Sequence, residues 1–296
     1  MTPARGPKDY LRLAAQIGLF VVAYCAMLWV LGSLLSGLAQ NLVGPFFAGL
    51  ISALIATWLA LRIYENFSVV DVGLWWNRAS ADNLALGLAG GAAAACLALA
   101  PPLAVGAAHL IRSHPPAIDG LILALVCVAA GSAGEEILFR GYAFQLLFAN
   151  LGPWASILPV GVVFGLVHAA NPGASPLGLV NTAGFGVLFG YAYMRSRDLW
   201  LPMGLHIGWN LALPLLGVNL SGITIFKEIA GYEMAWRAGR LWSGGDYGPE
   251  ASLLTSVALI PLFLFLWKAP VRRQRSPLTD PPAESVPCEP SPPLPS

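Results

Sequence analysis

The chain has 296 residues, 57% of them hydrophobic and only 10% charged, with a formal net charge of +1. Soluble domains carry about 25% charged residues, so an ordinary water-soluble globular domain is excluded. The near-neutral balance gives no basis for nucleic-acid binding.

The few charges are clustered. None occurs for 49 residues between Arg12 and Arg62, nor for 54 between Arg140 and Arg195. A spanning helix needs roughly 20 apolar residues, and its backbone polar groups must pair within the segment. Each long gap therefore holds two helices. The N-terminus has a basic start (Arg5, Lys8, Arg12), and the apolar run after it is too long for a signal-peptide core, so it reads as the first span. Eight spans are expected, at about 13–36, 43–63, 84–108, 119–148, 153–169, 176–195, 200–218 and 251–268. The fourth is expected to run straight through Arg140 and Gln145 to Asn150 and to project from the membrane. The predicted fold class is an all-α, polytopic transmembrane bundle over residues 1–275.

With the N-terminus inside, inside segments hold 12 Arg and Lys residues and outside segments hold 4. The positive-inside rule then puts both termini in the cytoplasm. The run GLAGGAAAACLALA (87–100) is rich in small residues and reads as close helix packing. Residues 226–242 read as an interfacial amphipathic helix or a loop. Residues 276–296 contain eight prolines and are expected to be a disordered tail. Cys25, Cys96 and Cys127 read as buried hydrophobes, and no CxxC metal pair or disulfide framework is present.

Ionisable groups inside a membrane point to function. In GSAGEEILFRG (131–141), Glu136 and Arg140 are four apart and can pair on one helical face. Glu135 points about 100° away and stays free, and desolvation there favours general-base work. In FGLVHAANP (164–172), His168 follows an apolar run. A tight turn at 150–153 would place Glu135 and His168 at one level, each roughly 22 Å from it. In LPMGLHIGWN (201–210), His206 and Asn210 share a face. Their level agrees with the others if the fourth helix projects about 15 Å. The plain alternatives are a surface salt bridge, a packed histidine and an inter-helix hydrogen-bonded pair.

Together, Glu135-Glu136-x-x-x-Arg140, Phe164-x-x-x-His168 and His206-x-x-x-Asn210 resemble the three motifs of the CPBP family. These are the CAAX-prenyl-protease and bacteriocin-processing membrane enzymes, also called the Abi family. The resemblance covers about 117–218, with a looser likeness near Val72-Gly73-Leu74. It implies a cavity open to the cytosol and an intramembrane endopeptidase acting on a peptide, a leader-bearing protein or a prenylated protein at the bilayer. It also implies that Glu135 and His168 activate water, that His206 and Asn210 steady the oxyanion, and that Glu136 and Arg140 hold the geometry. Glu135, His168 and His206 have the chemistry of a three-ligand zinc site and equally that of a metal-free glutamate mechanism. HExxH is absent. A transporter or proton relay, and a catalytically silent scaffold, are the readings from other classes.

Overall fold

The structure is a computed structural model that describes residues 6–35, 43–112, 115, 117–224 and 231–280. The helices are α1 (Pro7–Leu35), α2 (Val43–Tyr64), α3 (Arg78–Ala104), α4 (Ile118–Arg140), α5 (Tyr142–Leu151), α6 (Pro153–Val167), α7 (Pro176–Ser196), α8 (Trp200–Leu215), the short α9 (Arg240–Ser243) and α10 (Leu253–Lys268). Among the described residues, six helical stretches are long and apolar enough to cross a bilayer. With α8 and α10, of 16 residues each, they form the expected helical membrane bundle, and the protein is an integral membrane protein. Its outer surface carries Trp29, Val162, Val180 and Ile260, all exposed as lipid-facing residues should be.

Polar caps fix where several helices begin. Asn77 accepts from the Ser80 N–H at the start of α3, Ser175 from Gly178 at α7, and Ser252 from Thr255 at α10. Each satisfies an N–H that the helix itself leaves free.

Helix α8 lies at the centre, between α3, α4 and α7, and is almost wholly buried. Its contact with α3 is backbone to backbone. A Cβ on Gly208 would lie 2.3 Å from the Leu88 carbonyl oxygen, and one on Gly91 would lie 2.1 Å from that of Leu205. The small-residue run of α3 is thus a packing surface, as read from the sequence. Because Gly204 and Gly208 face α3, residues 206 and 210 of α8 are turned to the other side, toward α4 and α7.

Four sequence expectations change. The fourth helix does not run straight to Asn150. It ends at Arg140, and α5 starts after Gly141 (φ −76°, ψ −133°). At Gly141 a Cβ would sit 2.2 Å from the Ile137 carbonyl oxygen, so the break requires glycine. Gln145 does not project into water. It is fully buried and donates to the carbonyls of Val72 and Arg140. The third span stops at Ala104, and Ala108–Arg112 forms strand β1. Strand β1 pairs antiparallel with β2 (Tyr232–Trp236), with Ala108 opposite Trp236. Within 226–242, residues 226–230 lie outside the described residues, and the remainder is β2 and the start of α9 rather than one amphipathic helix.

The start of the proline-rich segment is also held by the bundle. Ser276 is buried, donates to Gln145 Oε1 at 3.2 Å and accepts from the Tyr193 hydroxyl at 3.1 Å. Residues 281–296 lie outside the described residues. The loop after α2, the α7–α8 connection and residues 269–280 meet at one end of the bundle. There Leu199 donates to the Gly73 carbonyl and Gln274 to that of Ser196. This end carries the arginines 62, 78, 195, 197, 272 and 273.

Candidate active site

Helix α4 supplies a polar stripe at 132, 136 and 140, spaced four apart so that all share one face. Glu136 and Arg140 are completely buried, with Nη1 3.2 Å from Oε1. Nη2 of Arg140 donates to the Gly186 carbonyl at 2.8 Å, and its guanidinium lies 4.6 Å from the Phe164 ring centroid. A buried charge needs a partner and hydrogen bonds to survive desolvation, and this one has a carboxylate, a carbonyl and aromatic faces.

The second oxygen contact of Glu136 is the one that the sequence did not suggest. His206 Nδ1 lies 2.8 Å from Glu136 Oε1. The carboxylate only accepts, so Nδ1 carries the proton, and in the neutral ring Nε2 presents a lone pair. Phe189 stacks on the same imidazole at 4.8 Å and fixes its plane.

His168, at the end of α6, is assigned by the same logic. Its Nδ1 lies 2.7 Å from the Phe164 carbonyl oxygen, so Nδ1 donates and Nε2 is the free nitrogen. Both free nitrogens approach one atom. Glu135 Oε2 is 3.8 Å from His168 Nε2 and 3.9 Å from His206 Nε2. That oxygen is buried and has no hydrogen-bond partner of its own. The Glu135 side chain as a whole is 39% exposed, more open than a desolvated base was expected to be. Asn210, one turn beyond His206, donates to Ser132 Oγ at 3.0 Å.

The six residues singled out from the sequence therefore converge, though not by the expected route. The level argument assumed a straight fourth helix. Glu135 and His168 meet across a broken hairpin, with α5 between α4 and α6 and with α6 lying tightly on α7, where a Cβ on Gly161 would be only 2.8 Å from the Val187 nitrogen. Glu135, His168, His206 and Asn210 line a small recess of about 80 Å³. Glu136 and Arg140 stand behind it. Ser132 and Glu250 were missed: Ser132 was legible from its spacing to Glu136, whereas Glu250 lies in a loop whose fold only tertiary contacts set.

A larger cavity of about 730 Å³ reaches Glu135 and Asn171 and is lined by Tyr24, Leu28 and Phe46. It extends to Leu35 and Gly44, at the ends of α1 and α2 remote from the arginine-bearing end. The described lining thus leads away from the arginine-bearing end. Among the described residues no group of three or more His, Cys, Asp or Glu is arranged to hold a metal ion. The trio of Glu135, His168 and His206 comes nearest, and its separations leave room for a bridging water.

Comparison with known proteins points the same way. Residues 116–212 match the family model described as type II CAAX prenyl endopeptidase Rce1-like. The chain is 27% identical over 153 residues to the uncharacterized protein YyaK of Bacillus subtilis (strain 168), covering 50% of this chain and 48% of that one. It is 30% identical over 89 residues to the putative membrane peptidase YdiL of the same organism, covering 30% of this chain and 34% of that one. The chain thus spans half or less of the length of the curated relatives it matches. No solved structure matches. The motif-bearing segment thus resembles that of type II CAAX prenyl endopeptidases. More particularly, the resemblance to the CPBP family read from Glu135, His168 and His206 stands.

Proposed function

We propose that the protein hydrolyses a peptide bond of a membrane-associated substrate, either a prenylated CAAX-type protein or a leader-bearing one. The observation that carries this reading is the convergence of two imidazole Nε2 atoms on one unpartnered oxygen of Glu135. Such a triangle accepts a water, orients its lone pair and has a base beside it.

In the proposed reaction, Glu135, aided by His168, takes a proton from that water as its oxygen attacks the scissile carbonyl carbon. Negative charge then gathers on the carbonyl oxygen. His206 first takes up a second proton from solvent, on Nε2, and this imidazolium, with Glu136 behind Nδ1, donates to that oxygen together with the Asn210 amide. Donors fixed in advance in a water-poor site stabilise such charge most effectively. The tetrahedral intermediate collapses as the C–N bond breaks, and the proton held by Glu135 passes to the leaving nitrogen. The new carboxylic acid gives its remaining proton to the freed amine, so the products are a carboxylate and an ammonium. The steps as written run without a metal ion, while Glu135, His168 and His206 also have the donor chemistry that would hold a zinc ion and activate the water on it.

Purified full-length protein in detergent should cleave a prenylated or leader-type peptide, and Glu135→Gln should lower kcat by about 10²–10⁴. A folded Glu135→Gln protein with unchanged activity would overturn the assignment of the base.

A further inference from the structure

The catalytic recess holds a second carboxylate that the proposed reaction does not use. Glu250 lines the recess together with Glu135, His168, His206 and Asn210. It lies just before α10, well outside the matched segment, and is only 7% exposed. Among the described residues it makes no ion pair with an arginine or lysine. A buried carboxylate without a cation is costly, so the fold must hold it there by other means.

It does so from three directions. Ser221 donates twice to one oxygen of Glu250, from its backbone N–H at 2.5 Å and its hydroxyl at 2.8 Å. Ser221 takes the left-handed conformation (φ 47°) to do this, which costs a non-glycine residue energy. The amide of Asn181, on α7, donates to the Glu250 backbone carbonyl at 2.8 Å. Gly222, next to Ser221, donates to the Tyr247 carbonyl. Burial raises the Glu250 pKa above the ordinary carboxylate range, while the Ser221 donors and the two nearby imidazoles pull it back.

We infer that Glu250 is the receptor for the amine side of the scissile bond: it accepts from the substrate N–H and then pairs with the product ammonium. The inference rests on the peptidase reading above. With the carbonyl oxygen toward His206 and Asn210 and the attacking water on Glu135, the carboxylate left in the lining for the amine side is Glu250, held by Ser221. Hydrolysis creates a cation there, and a fixed anionic partner of this kind binds it through a charge-assisted hydrogen bond.

The test is binding and needs no turnover. Leucine amide and N-acetyl-leucine amide are titrated calorimetrically into full-length protein in detergent. The wild type should bind the free amine about tenfold more tightly. Glu250→Gln, whose carbonyl still accepts from Ser221, should bind both ligands equally. Glu250→Asp, which keeps the charge but withdraws it by one methylene, should fall between them, and it decides the matter if the glutamine variant does not fold. Glu135→Gln should lose cleavage yet keep the amine preference, which separates this reading from that of the base. Equal binding of the two ligands by the wild type would overturn the inference. So would an undiminished preference in Glu250→Gln or Glu250→Asp, or a preference lost in Glu135→Gln.

Discussion

Replacing Arg140 by methionine tests how the site is held together. Arg140 and Glu136 have no exposed surface and lie 3.2 Å apart. Removing the cation leaves Glu136 as an uncompensated buried charge, at a cost of about 3–5 kcal/mol. The double variant Arg140→Met with Glu136→Leu removes both charges. The Gly186 carbonyl loses Arg140 in both variants, so the one new orphan is the His206 Nδ1–H, which costs about 1–3 kcal/mol. The double variant should therefore be about 2 kcal/mol more stable than the single one, by the difference of those two costs. Activity should not follow stability. With Glu136 gone the His206 imidazole is no longer fixed, and turnover should stay at least about tenfold down in the double variant. Thermal unfolding in micelles and peptide cleavage measure the two effects separately. A double variant no more stable than Arg140→Met would refute the idea that Glu136 is a charge needing compensation. One with wild-type turnover would refute its role in orienting His206.

Three further outcomes are expected. Gly208→Val forces a side chain into the Leu88 carbonyl, 2.3 Å from the Cβ position, and should cost about 1–3 kcal/mol or more in micelle stability; a neutral effect would contradict the α3–α8 contact. Treatment with a strong chelator should leave cleavage within about twofold of the untreated rate, because the spacing suits a water and general-base catalysis needs no metal; activity lost on chelation and restored by zinc would overturn the metal-free reaction. Asp198, between α7 and α8, has its pKa raised by burial, against the donors Asn83, Gln274 and Leu201. The folded protein then holds that proton more tightly than the unfolded chain. The resulting stability is complete below the ordinary aspartate range and is withdrawn as pH rises through the raised folded value. Asp198→Asn should flatten that part of the melting-temperature profile, and a steeper decline in the variant would show the sign to be wrong.

The sequence by itself determined the membrane architecture and singled out the polar groups that the structure brings together. Two long charge-free stretches leave no alternative to paired spanning helices, because an unpaired backbone in lipid is too costly. The four-residue spacings of Glu136 with Arg140 and of His206 with Asn210 fix shared helical faces through the helical repeat alone. Tertiary structure decided everything that depends on how helices end and lean. The break at Gly141 follows from an approach to Ile137 that no local pattern announces. The bond from Glu136 to His206 joins residues 70 apart, and Glu250 reaches the recess only through contacts with Ser221 and Asn181. Periodicity reports a direction about one helix axis, whereas the distance between side chains on different helices is set by packing, which short-range spacing does not encode.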